Sequence, residues 1–166
     1  MFELKRLSAA AVPAALAKAE RYRLLNEPQQ SESICEDILR TDPANHQALV
    51  TLILALSDAF PHDHARTAAR AAALITQLPS EYERHYYGGL VAERRGRALL
   101  DQPGPGTRAA ASWLRDAMDA YARAEALGPP DNDEARLRWN ACARTFNAHP
   151  DLLIEDDTPA AAVTSE

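Results

Sequence analysis

The chain has 166 residues, 46% of them apolar but only 6% aromatic, and a formal net charge of −6. That is one domain's length, with a core drawn mainly from Ala and Leu, a composition that suits close-packed helices better than strands. The charge is uneven: Asp151, Glu155, Asp156, Asp157 and Glu166 follow Pro150 with no base among them, and neither this tail nor the near-neutral body has the basic face of a nucleic-acid binder.

No apolar run approaches the roughly 18 residues of a membrane-spanning helix. The opening MFELKRLSAAAVPAALA has two bases before small residues, but its apolar stretch is weak and runs into AKAERYR. It therefore reads as the start of a helix in a cytoplasmic protein rather than as a signal peptide. Cys35 and Cys142 stand far apart without a partner motif, as expected of two reduced core thiols. Lys5 and Lys18 are the only lysines among 18 basic residues; that bias, with abundant Ala, points by composition to a bacterial source.

Ser8 and Pro13 open a first helix ending near Asn26, with Leu16, Ala19, Tyr22 and Leu25 facing inward. Pro28 starts a second, which Asp42-Pro43 stops near Arg40. Asn45 caps a third, HQALVTLILALSDAF, which is apolar nearly all round and so is expected in mid-stack. A fourth runs from Pro61 to Pro79. Ser80 and Glu83 form a capping box for a fifth, reaching Leu100. The loop DQPGPGT precedes a sixth helix over 108–127. Asp131 and Glu134 pair as a cap before a seventh, EARLRWNACARTF. Residues 1–149 read as a helical domain and 150–166 as an acidic disordered tail.

ICEDILRTDPANHQAL and AYARAEALGPPDNDEAR align. Ser31 falls on Ala117, Cys35 on Tyr121, Ile38 on Ala124, Pro43 on Pro129, Asn45 on Asn132 and Ala48 on Ala135. A large residue, a small residue and a closing proline at such spacing resemble the tetratricopeptide repeat, a helix-turn-helix unit of about 34 residues. The resemblance implies an all-α right-handed superhelix of about three antiparallel helix pairs with a C-terminal cap helix. The second unit departs from the pattern, since Pro79 comes late. In the third, Gly88-Gly89 occupy the close-contact positions. The two aligned stretches lie 86 residues apart, about 18 more than two units supply. The extra residues fall around DQPGPGT, so the third hairpin is expected to be elongated and to project by about 10 Å.

By the family's register the first helix of each pair lines a concave groove, which implies a peptide-binding adaptor or scaffold with an unidentified protein partner and neither nucleic acid nor membrane. The positions so implied include Arg23, Leu54, Tyr86, Leu90 and Arg94, with Glu20, Leu24, Val50, Asp58 and Glu93 beside them. On the seventh helix Arg136, Asn140 and Arg144 share a face and suit an acidic peptide, or pair internally with acids such as Asp133 or Glu134. A repeat-built secretion chaperone holding an apolar partner is one alternative, and a helical enzyme with an unrecognised site is another. His62 and His64 are two apart and do not share a helix face. No catalytic residue, metal or cofactor is expected, because no nucleophile–base pair, carboxylate pair or cofactor motif stands out.

Overall fold

The computed structural model describes residues 2–61, 64–100 and 107–153, which contain helices and no strand. After a 3-10 turn at Ala9–Ala11 come α1 (Val12–Leu24), α2 (Pro28–Thr41), α3 (His46–Asp58), α4 (His64–Ile75), α5 (Glu81–Leu100), α6 (Thr107–Leu127) and α7 (Glu134–Ala148). No helix among the described residues is long and apolar enough to cross a membrane.

Short-range chemistry sets most boundaries. Pro13 and Pro28 sit in first turns, where a missing N–H costs nothing. Asn26 has φ 59°, its N–H donates to Arg23 O and that of Glu27 to Tyr22 O, a Schellman closure with Asn in the left-handed position. Asn45 Oδ1 accepts from Ala48 N at 3.0 Å, as expected of a cap. Ser80 Oγ accepts from Glu83 N at 3.1 Å and donates to Glu83 Oε2 at 3.0 Å. Asp131 does not cap α7: that helix begins at Glu134 and Asp133 holds the cap position. Asn132 Oδ1 instead accepts from Glu134 N at 3.0 Å, an Asx turn within its shorter reach.

Each helix packs on the next, and α1 also meets α3, α3 meets α5, and α5 meets α7. The odd-numbered helices thus form one layer, backed by α2, α4 and α6. Helix α3 buries Leu52, Ile53, Ala55 and Leu56, which fits an all-round apolar helix with neighbours on both sides. The aligned pairs Ser31/Ala117, Cys35/Tyr121, Ile38/Ala124 and Ala48/Ala135 are all buried. Leu25, expected inward, is 58% exposed, because at 100° per residue it falls opposite the buried Val12, Leu16 and Ala19.

Helices α5 and α6 have 20 and 21 residues against 12 to 14 in α1–α4, so the third hairpin is elongated. Its extra turns are covered rather than bare. Ala98, Ala110, Cys142, Phe146 and Leu152 are buried, and Leu99 and Leu100 pack on the cluster that holds the last four. A 3-10 turn at Pro150–Leu153 places Leu152 in that cluster, so ordered packing extends past residue 149. The rest of the expected tail, the 101–106 loop and His62 lie outside the described residues.

Candidate functional site

Helices α1, α3 and α5 enclose a hollow of about 600 Å³ lined by Glu20, Arg23, Leu24, His46, Gln47, Val50, Thr51, Leu54 and Tyr87. Its apolar wall is Leu24, Val50, Leu54 and the Tyr87 ring; Leu24 is 88% exposed. Glu20, Arg23 and Leu24 lie here because they border the side of α1 that Val12, Leu16 and Ala19 bury, Arg23 continuing that side one turn beyond Ala19. His46 Nε2 lies 2.7 Å from Glu83 Oε1, tying the N-terminal ends of α3 and α5.

The far end is held by Asp58. Arg23 Nε donates to Asp58 Oδ2 at 2.8 Å. Arg94 Nη1 lies 2.6 Å from Asp58 Oδ1 and donates to Ser57 Oγ at 2.6 Å and Leu54 O at 3.0 Å. Burial pulls the Arg94 pKa below its ordinary value, against the opposing pull of Asp58. Two guanidiniums on one carboxylate leave an excess positive charge. Arg94 is tied to the fold through Nη1 and Arg23 through Nε.

The other expected groove residues divide. Leu90 is 4% exposed and belongs to the core with Tyr121, so it offers no contact to a ligand. Tyr86 is half-buried among Tyr82, Tyr87 and Tyr121, with ring centroids 5.9, 5.2 and 6.0 Å away. Burial pushes the Tyr86 phenol above its ordinary pKa and that of Tyr87 up to about 12. On α7, Arg136 is engaged on the surface by Glu125 at 2.7 Å and Asp133 at 2.6 Å. Arg144 lines a separate hollow with Arg97, Leu100 and His149. Asn140 is half-buried and lines neither this hollow nor the groove. The three share a face of α7 by spacing, and of them Arg144 alone lines one of these two hollows.

Glu93, placed in the groove by register, is 2% exposed. It accepts from Tyr121 Oη at 2.8 Å and from Arg97 Nε at 2.9 Å, with Arg138 Nη1 at 3.8 Å. Burial, then the neighbouring carboxylate, raises the Tyr121 pKa, so the phenol stays a donor. A carboxylate–phenol pair can serve proton transfer, but this one is sealed between α5, α6 and α7 and acts as an internal tie. Burial likewise pushes the thiols of Cys35 and Cys142 to about 11 and about 12, leaving them protonated and unreactive. No group of three or more metal-ligating side chains occurs among the described residues.

The reading by register missed His46, Gln47, Thr51 and Tyr87. The first three lie within one helical turn of Val50 and Leu54, so extending the α3 face by a turn in each direction reaches them. Comparison of the chain with protein-family models, curated proteins and solved structures gives no match.

Proposed function

We propose that this chain is a non-catalytic peptide-binding module, a tetratricopeptide-like stack whose odd-numbered helices form the concave wall. The observation that carries this reading is the hollow between α1, α3 and α5, where an exposed leucine, a valine, a second leucine and a tyrosine ring meet a few polar side chains. That mixture suits an extended or helical segment with one or two apolar anchors. The row of odd-numbered helices and the equal burial of the aligned repeat positions support the repeat reading.

A phage-displayed peptide library selected on the purified chain tests the proposal, with affinities then measured by calorimetry on wild type and Val50→Arg. Val50 is half-buried at the wall of the hollow, and an arginine there fills it. Selected peptides should lose at least about tenfold in affinity, the loss of one apolar anchor. A library with no enrichment, or peptides that bind Val50→Arg unchanged, would overturn it.

A further inference from the structure

We infer that the side of α1 turned away from α2 and α3 is a second docking surface, which takes an acidic amphipathic helix of a partner protein. Val12, Leu16 and Ala19 bury one side of α1. At 100° per residue, Ala14, Ala17, Lys18, Arg21 and Leu25 fall on the opposite side, with Tyr22 at its edge. A helix side opposite the core is ordinarily polar. This one carries two alanines, a 58%-exposed leucine and only two charges, both positive.

The spacing selects the shape of the partner. Ala14 and Ala17 are one turn apart and leave no side-chain bulk, so another helix can approach to roughly 8 Å between axes. Tyr22 and Leu25, two turns further on, give it an apolar anchor. An extended strand gains little here, since it needs free backbone groups to pair with and a helix side has none.

The charge selects its chemistry. Lys18 stands 5.9 Å from the Tyr22 ring centroid. Neither Lys18 nor Arg21 has a carboxylate within ion-pair distance among the described residues. A second copy of the chain related by a two-fold axis brings these cations onto themselves, which opposes dimerisation through this side. Nucleic acid meets a whole molecule of charge −6. A short helix on this side meets Lys18 and Arg21 directly, while Glu20 points about 100° away from Arg21 and charges beyond a screening length of about 8 Å count little. A bilayer surface is held by clusters of four or more bases, twice what is present. The groove lies on another side of α1, through Glu20, Arg23 and Leu24, so the two surfaces can be separated experimentally.

The probe is a synthetic helical peptide of Leu, Ala and Glu with leucines spaced three and four apart, titrated into the isotopically labelled full chain and followed by amide NMR. A Lys-for-Glu copy of the peptide and vesicles containing phosphatidylserine serve as controls. Shifts should centre on residues 14–25 for the acidic peptide alone. The double variant Lys18→Glu/Arg21→Glu should weaken binding about tenfold, two exposed charge contacts being lost and reversed. Both side chains are exposed, and an unchanged spectrum of the uncomplexed variant elsewhere shows that it folds. Val50→Arg, which blocks the groove, should leave the titration unchanged, so failure of the groove reading and failure of this one are told apart. Equal binding of the basic peptide, preference for vesicles, shifts confined to the groove, or no shifts would each overturn the inference. So would displaced resonances of residues 154–166 in the uncomplexed double variant, which would make the chain's own acidic end the occupant.

Discussion

Two adjacent glycines in α5 should respond oppositely to the same substitution. Replacing a mid-helix glycine with alanine gains about 0.8–1 kcal/mol from helix propensity. At Gly88 an added Cβ meets nothing within 4 Å, so Gly88→Ala should stabilise by about that amount. At Gly89 the Cβ falls 2.9 Å from Cδ1 and Cε1 of Tyr121 and 3.2 Å from Ala117 O. The carbonyl belongs to the α6 backbone, and the ring is fully buried with its hydroxyl held by Glu93 at 2.8 Å. Neither contact can step aside without moving a helix. Overpacking of this kind costs about 1–3 kcal/mol, so after the propensity gain Gly89→Ala should range from neutral to about 2 kcal/mol less stable. The difference between the variants, about 1–3 kcal/mol, does not depend on the wild-type reference. A chain of this size shifts by about 2–4 °C per kcal/mol, so melts followed by circular dichroism should separate the pair by about 2–12 °C. A Gly89→Ala protein that melts at or above Gly88→Ala would refute the close α5–α6 contact.

Three further outcomes are expected. Tyr121→Phe removes one donor from a buried charged acceptor and should cost about 1.5–3 kcal/mol, with a urea midpoint unchanged from wild type counting against the Glu93 tie. Asn45→Ala should cost about 1 kcal/mol through the lost α3 cap, read from the same urea curves. Alkaline pH should also destabilise the chain. Burial raises Cys35 from 9.0 to about 11, Cys142 from 9.0 to about 12 and Tyr87 from 10.0 to about 12, so between these limits the unfolded chain binds fewer protons than the folded one. Stability from these groups is complete below pH 9 and then falls, by at most about 1.4 kcal/mol per pH unit for each group in its own window. A urea midpoint that stays level from pH 8.5 to 11 would contradict this.

Helix order was legible because punctuation is local. Pro28, Asn45 and the Ser80–Glu83 pair act within one turn of themselves, and each does in the fold what its type predicts. The core positions Cys35, Ile38, Tyr121 and Ala124 were legible for a related reason, since residues at helical spacing share a side, and all four are buried. The groove was legible only in part. Register placed Arg23 and Leu54 beside it, but it also placed Leu90 and Glu93 there, and both are buried. The burial of Glu93 depends on Tyr121, 28 residues away, and on close approach of α6 at Gly89 and Gly96. No window along α5 carries that information, and a glutamate on a helix ordinarily reads as solvated. Arg94 was misjudged for the same reason: Asp58 and the Leu54 carbonyl that claim it lie on α3, up to 40 residues earlier. For Arg136, offered either to a peptide or to an acid such as Asp133 or Glu134, the partners in the structure are Asp133, a near neighbour, and Glu125, across the α6–α7 turn, which went unseen.

The junction between α3 and α5 has a consequence for cooperativity. The largest apolar cluster is drawn from residues 90–152, and the two smaller ones are drawn from 12–71. Between them run the Arg94 bonds to Leu54, Ser57 and Asp58 and the His46–Glu83 contact, alongside the apolar crossings of Leu54 and Val91. A stack held by nearest-neighbour contacts unfolds as a unit only while its weakest junction exceeds the difference in stability between its ends. Polar bonds carry part of that junction, beside the packing of α4 on α5, so Arg94→Met should weaken the coupling of the ends. Native-state hydrogen exchange should then resolve α1–α4 opening as one subunit of unfolding, with α5–α7 still closed.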